Sequence, residues 1–69
     1  MGNKDTVWTF KKPSLNAVER ITVDGKEYAV AMFNDWFHVY VNGMIVFKNK
    51  SFNRILKELD SMDINYKLI

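Results

Sequence analysis

Sixty-nine residues without a cysteine are enough for one small domain, and they exclude disulfides and thiolate metal sites. A hydrophobic fraction of 48%, with 14% aromatic residues, is typical of a chain that folds into a globular domain. The net charge of +2, from ten basic and eight acidic residues, lacks the strong basic excess of a histone-like protein.

The N-terminal segment contains no uninterrupted apolar stretch like that of a signal peptide, and no later window approaches the length of a transmembrane helix. We therefore expect a soluble, cytoplasmic protein that does not associate with membranes. Residues 1–6 are polar and are predicted to be disordered, and residues 7–12 are predicted to form an extended arm around Trp8 and Phe10. A turn or a single helical turn is expected between Pro13 and Ala17, because Ser14 can cap the amide groups that follow it.

Four strand-like segments follow, separated by dipeptides that favour tight hairpin turns. The turns are predicted at Asp24–Gly25, Asn34–Asp35 and Asn42–Gly43. The segments, each rich in β-branched or aromatic residues, are Glu19–Val23, Lys26–Phe33, Trp36–Val41 and Met44–Lys48. We predict a four-stranded antiparallel β-meander within residues 18–48.

An apolar stripe with spacings of three and four residues predicts one amphipathic helix over residues 51–62, with Ser51 as its N-cap. The stripe consists of Phe52, Ile55, Leu56, Leu59 and Met62. Residues 64–69 alternate between apolar and polar side chains, which predicts a short final strand or an ordered tail. The predicted fold class is α+β, with the helix packed on one face of the sheet.

Two-residue loops predict which side chains share a face of the sheet, because the residues that flank such a loop point to the same side. The face predicted to lie under the helix is almost purely aliphatic and holds Ile21, Val23, Tyr28, Val30, Met32, Phe37, Val39, Val41, Met44 and Val46. The opposite face is predicted to hold Arg20, Thr22, Glu27, Ala29, Ala31, Phe33, Trp36, His38, Tyr40, Ile45 and Phe47.

The second face is the candidate binding surface, because its aromatic side chains surround two alanines that leave a shallow depression. One helix covers only one face, and monomers rarely expose large apolar patches, so we expect a cover for this face. The arm of residues 7–10, a second copy of the chain and a partner macromolecule are the alternatives. The predicted partner-binding residues are Phe33, Trp36, His38, Tyr40, Phe47 and Arg20.

Motifs that would indicate catalysis or metal binding are missing from the sequence. The single histidine, His38, has no acid or nucleophile predicted beside it on the same face. The acidic residues late in the helix do not form the ligand pattern of a calcium site, and the glycines do not form a phosphate-binding loop. We therefore predict a non-enzymatic protein with neither a metal nor a cofactor.

The favoured function is a protein-binding module that docks its aromatic face on another protein, with or without homodimerisation. The lysine- and asparagine-rich composition, the short length and the lack of catalytic motifs resemble phage or mobile-element proteins that inhibit host proteins, including anti-defence proteins. A purely structural homodimer is another hypothesis.

A protein that binds single-stranded DNA or RNA is the competing hypothesis, because exposed aromatic residues on a sheet can stack on bases. The order of elements, four strands and then a helix, resembles the architecture of PUR-repeat and Whirly-type single-strand-binding domains. In this hypothesis the phosphates contact Arg20, Lys48, Lys50, Lys11 and Lys12. Strand parity places Lys48 and Lys50 opposite to the aromatic residues, so the protein partner is favoured over nucleic acid.

Overall fold

A computed structural model describes residues 7–15 and 17–69 of the chain. The predicted disorder of residues 1–6 lies outside these described residues. The elements within them are β1 (Trp8–Phe10), β2 (Glu19–Val23), β3 (Lys26–Phe33), β4 (Trp36–Val41), β5 (Met44–Asn49), α1 (Phe52–Ser61) and β6 (Tyr66–Leu68). The predicted α+β class is confirmed, and the short final strand is present.

The four-stranded meander is confirmed, with β2, β3, β4 and β5 adjacent in that order and antiparallel. Both central residues of each hairpin loop have positive φ, which is the geometry of a type I′ turn. Gly25 and Gly43 occupy the second position of two of these turns at φ 78° and 83°, and Asp35 occupies it in the third at φ 65°. The turns set the register of the sheet, so that Phe33 lies directly opposite Trp36.

The helix and the terminal strands cover the same face of this sheet. Helix α1 packs on β4 and β5 and fully buries Ile55 and Leu59. Strands β1 and β6 pair in parallel as a separate two-stranded sheet. Their pairing holds Trp8 and Phe10 in the core, where the Phe10 ring centroid lies 6.4 Å from that of Phe52 in the helix. The arm is therefore not the cover of the opposite face, and that alternative is wrong.

The core lies between the sheet and this covering layer. Val30 and Val39, at the centre of the predicted aliphatic face, are fully buried. Met44 was predicted to lie in the same core, yet its side chain is 71% exposed because β5 is an edge strand. The buried cluster consists of Trp8, Phe10, Val30, Phe37, Val39, Ile55, Leu59 and Ile64.

A β-bulge interrupts the pairing of β4 with β5. Val39 pairs with Phe47 and Tyr40 pairs with Ile45, so Val46 is an extra residue without a partner opposite it. Successive side chains of a strand alternate between the two faces, and one extra residue therefore exchanges the faces of every residue after it.

The bulge changes the predicted positions of three residues in β5. Val46 was predicted to lie under the helix, but it has no partner in β4 and is 50% exposed. The prediction that Phe47 lies on the face away from the helix is wrong, because Phe47 pairs with the buried Val39 and packs against the core. The parity predicted for Lys48 is also wrong, because Lys48 pairs with His38 and shares its face. The bulge thus exchanges an aromatic side chain for a cation on the candidate binding surface.

Helix α1 is one residue shorter at each end than predicted. Ser51 is the N-cap residue by position, with extended backbone at φ −94° and ψ 122°, but its hydroxyl makes no capping hydrogen bond. The backbone N–H of Ser51 instead donates to Asn49 Oδ1 at 2.8 Å, which fixes the link between β5 and the helix. In the part of the chain that the structure describes, no helix has the length and apolar character needed to cross a bilayer.

Candidate binding surface on the open sheet face

The face of the β2–β5 sheet away from the helix, here named the open face, is not covered by any helix or strand within residues 7–15 and 17–69. Helix α1 and the terminal strands all pack on the other side. The strand register places its side chains in cross-strand rows. These residues are Arg20, Thr22, Glu27, Ala29, Ala31, Phe33, Trp36, His38, Tyr40, Ile45 and Lys48.

Two exposed aromatic residues face each other across the β3–β4 ladder, at the end of this face where the β3–β4 turn is found. The exposed fraction is 63% for Phe33 and 37% for Trp36. The ammonium groups of Lys48 and Lys50 each lie 5.5 Å from the ring centroid of Trp36. At this distance the negative face of the indole attracts a cation. We name Phe33, Trp36, Lys48 and Lys50 the aromatic–lysine cluster.

A pocket lies toward the other end of the open face, with a volume of about 200 Å³. Its floor is formed by Ala29 and Ala31, whose partners across the ladder are the much larger Tyr40 and His38. The predicted depression at the two alanines is therefore present, but of the aromatic residues predicted to surround it only Tyr40 lines it. The lining residues are Val18, Arg20, Glu27, Ala29, Ala31, Tyr40 and Gly43.

Arg20 forms an ion pair on the rim of this pocket. Its Nη1 lies 3.6 Å from Glu27 Oε2, and both side chains are at least half exposed. A surface pair of this kind stabilises a fold by roughly 0–1 kcal/mol. The carboxylate of Glu27 neutralises the charge of Arg20. Among the described residues, the cations on this side of the sheet that have no carboxylate partner are Lys48 and Lys50.

His38 lies in the middle of the open face, with its ring centroid 6.3 Å from that of Tyr40. Its Nδ1 is shielded from solvent and has no hydrogen-bond partner in the described part of the chain. The cross-strand neighbours of His38 are Ala31 and Lys48, neither of which supplies the carboxylate that orients a general base. No group of three or more His, Asp or Glu side chains is placed to hold a metal ion within residues 7–15 and 17–69.

The structure separates Lys12 from the open face, although it was predicted to share a phosphate-binding role with Lys48. The Lys12 ammonium lies 5.6 Å from the ring centroid of Phe37 and 6.0 Å from that of Phe52, both on the helix side. Lys11 is exposed and directly follows strand β1, which pairs with β6 on the helix side. The predicted binding residues Phe33, Trp36, His38, Tyr40 and Arg20 do share the open face.

Comparison of the chain with protein-family models, with curated proteins and with solved structures finds no match. The function must therefore be argued from the side chains themselves. The open face offers three features that a partner would contact: a pair of exposed rings, two lysines beside them, and a pocket with an alanine floor.

Proposed function

We propose that this protein is a non-enzymatic binding module that docks a macromolecule on its open face. The observation that supports this most directly is the exposure of Phe33, Trp36 and Ile45 on the uncovered side of the sheet. Several large apolar side chains exposed on one face of a small domain are typical of an interaction site. Aromatic anchors next to small residues are also the composition of interface hot spots.

The two partner classes predicted from the sequence would use different parts of this face. A protein partner would insert an apolar side chain into the alanine pocket, beside Tyr40 and the Arg20–Glu27 pair. Inhibition of a host protein, as in phage or mobile-element proteins, is the form of this proposal that the composition favours. A nucleic acid partner would instead use the aromatic–lysine cluster.

Affinity capture from a lysate of the cells that encode the chain tests the docking surface. The wild-type protein is compared with a Phe33→Ala/Trp36→Ala variant, because these two rings are exposed and their removal leaves the core intact. A Lys57→Ala variant on the exposed side of the helix, away from the open face, is the control. Each capture is run with and without nuclease, and circular dichroism verifies that all three proteins are folded.

We expect the wild-type protein and the helix variant to recover the same partner, and the ring variant to lose it. Equal recovery by all three proteins would show that docking does not use the open face. Recovery that survives nuclease treatment identifies a protein partner, whereas recovery that nuclease abolishes identifies a nucleic acid.

A further inference from the structure

We propose that the partner of the open face is a single-stranded nucleic acid, bound at the aromatic–lysine cluster. This inference rests on the proposed function and names the chemical class of its partner. The β5 bulge is the observation that favours it over a protein partner. Regular alternation along β5 would place Lys48 on the helix side of the sheet. The bulge instead places Lys48 on the same face as His38, which adds a cation to the open face.

The two rings of the cluster form one platform for bases. Phe33 and Trp36 are directly opposite each other in the antiparallel ladder, where facing side chains have Cβ atoms about 4.5–5.5 Å apart. Both rings are exposed to solvent. Any base can stack on such rings, because every base has a π-face, and stacking of this kind contributes roughly 1–3 kcal/mol per base.

The two lysines lie beside the ring on which a base would stack, and their flexible side chains can turn toward the phosphates of the bound nucleic acid. Each ammonium is 5.5 Å from the centre of the Trp36 ring, at the position that an incoming base would take. A lysine stem is flexible, so a stacking base can displace the ammonium from the ring toward an adjacent phosphate. Neither lysine forms an ion pair with a described carboxylate, and both are therefore available to an anion.

Charge is distributed unevenly along the sheet, and the cluster lies at its more basic end. Helix α1 begins at this end, with Arg54 in its first turn and no acidic residue there. Asp35, in the β3–β4 turn, is the carboxylate next to the cluster. At the other end of β3, Asp24 and Lys26 balance each other in charge, and Asp60 lies in the last turn of the helix. A polyanion is therefore complementary to the cluster end of the domain.

Tryptophan fluorescence can report on this site selectively. The chain has two tryptophans, and Trp8 is 3% exposed in the core. A Trp8→Phe variant leaves Trp36 as the single reporter at the proposed site. The protein is titrated with oligothymidine or oligouridine of about a dozen nucleotides, which is within the usual range of single-strand site sizes. We expect the oligonucleotide to quench the fluorescence of Trp36.

Salt dependence then tests the two phosphate contacts. Two contacts to a single strand predict a slope of about −1.4 for the logarithm of the binding constant against the logarithm of salt concentration. A Lys48→Gln variant should reduce this slope to about −0.7, with weaker binding at low salt. Lys57→Gln, an exposed residue of the helix, is the matched control and should leave both quantities unchanged. Anisotropy of a labelled oligonucleotide gives the same quantities for the wild-type chain, independently of the Trp8→Phe substitution.

Failure of binding to both oligonucleotides, or an equal effect of Lys48→Gln and Lys57→Gln, would overturn the inference. If capture from the lysate still depends on Phe33 and Trp36 and survives nuclease, the partner is a protein and the docking surface stands. If capture is also independent of these rings, the proposed function fails together with the inference.

Discussion

Asp35 occupies the second turn position of the β3–β4 hairpin with a positive φ, and glycine occupies the same position in the other two hairpins. Its φ of 65° lies in the left-handed region, where a residue with a Cβ is disfavoured by roughly 1–2 kcal/mol. Aspartate tolerates this region better than most residues do, because its short side chain hydrogen-bonds locally. The β3–β4 turn is therefore formed by a residue that is acceptable there but is not the best choice.

At the second position of these turns, replacing aspartate by glycine should stabilise the fold, and replacing glycine by alanine should destabilise it. Asp35→Gly should raise the free energy of unfolding by up to about 1 kcal/mol, once the greater freedom of glycine in the unfolded chain is subtracted. Gly43→Ala should lower it by about 1–2 kcal/mol, from backbone strain alone, because no atom lies within 4 Å of the added Cβ. Urea denaturation measures both effects, and a less stable Asp35→Gly variant would contradict this explanation.

Phe47 and Lys48 provide a direct test of the bulge in β5. Phe47 is half-buried against the core, so Phe47→Ala should lower the free energy of unfolding by about 2 kcal/mol, less than for a fully buried ring. Lys48→Ala, at an exposed position, should change it by less than about 0.5 kcal/mol. Urea denaturation of both variants checks this difference. A larger effect at Lys48 than at Phe47 would mean that the strand continues without the extra residue.

The elements that the sequence predicts well are those with local signals. Each hairpin is specified by adjacent residues, such as Asn42 and Gly43, and the helix by an apolar stripe within one segment. Parity carried from these turns is correct as far as Ile45. It fails after Val46, because a bulge at a β-branched residue has no glycine or proline to mark it.

Local sequence patterns do not predict the pairing of the two terminal strands. Trp8 lies opposite Tyr66 in a parallel pair, although almost the whole chain separates them in sequence. Parallel strands are not joined by a short turn, so no turn residues in the sequence indicate that they pair. The sequence alone therefore does not determine which face of the sheet the arm covers. For the candidate site, the sequence correctly places Phe33, Trp36 and Tyr40 on one face. It misplaces the contributions of β5 and that of Lys12, which lies on the helix side.

Strand β6 carries a titratable group whose environment predicts sensitivity to alkaline pH. Burial, and secondarily the negative charge of Asp60, raise the pKa of Tyr66 above its ordinary value. Stability linked to this group is fully present below the unfolded-state pKa of about 10 and is lost as the pH rises through the higher folded-state pKa.

Tyr66→Phe should remove this alkaline loss. Unfolding free energies of the variant and the wild-type protein are compared by urea denaturation at about pH 8 and about pH 11, on either side of the ordinary tyrosine pKa. We expect the difference between the two proteins to shift in favour of the variant at the higher pH. A difference that is equal at both pH values would show that Tyr66 ionises without a penalty in the folded protein.

Within residues 7–15 and 17–69, the fold is a sheet with one covered face and one uncovered face, and we expect its oligomeric state to depend on what the open face binds. In a two-fold dimer packed through this face, Lys48 and Lys50 of both copies would be brought into one interface. Like charges in a desolvated interface oppose association, so we expect a monomer in the absence of nucleic acid. Sedimentation at micromolar concentration measures this, and a dimer that Trp36→Ala converts to a monomer would contradict it.

Nucleic acid binding at the open face can be mapped by following the backbone amide chemical shifts of the labelled protein during titration with oligothymidine. We expect the largest changes at Ala31, Phe33, Trp36 and Lys48, while the amide signal of Leu59 in the helix does not shift. Changes confined to the helix, or an absence of changes at Phe33 and Lys48 in the presence of a bound oligonucleotide, would contradict this expectation.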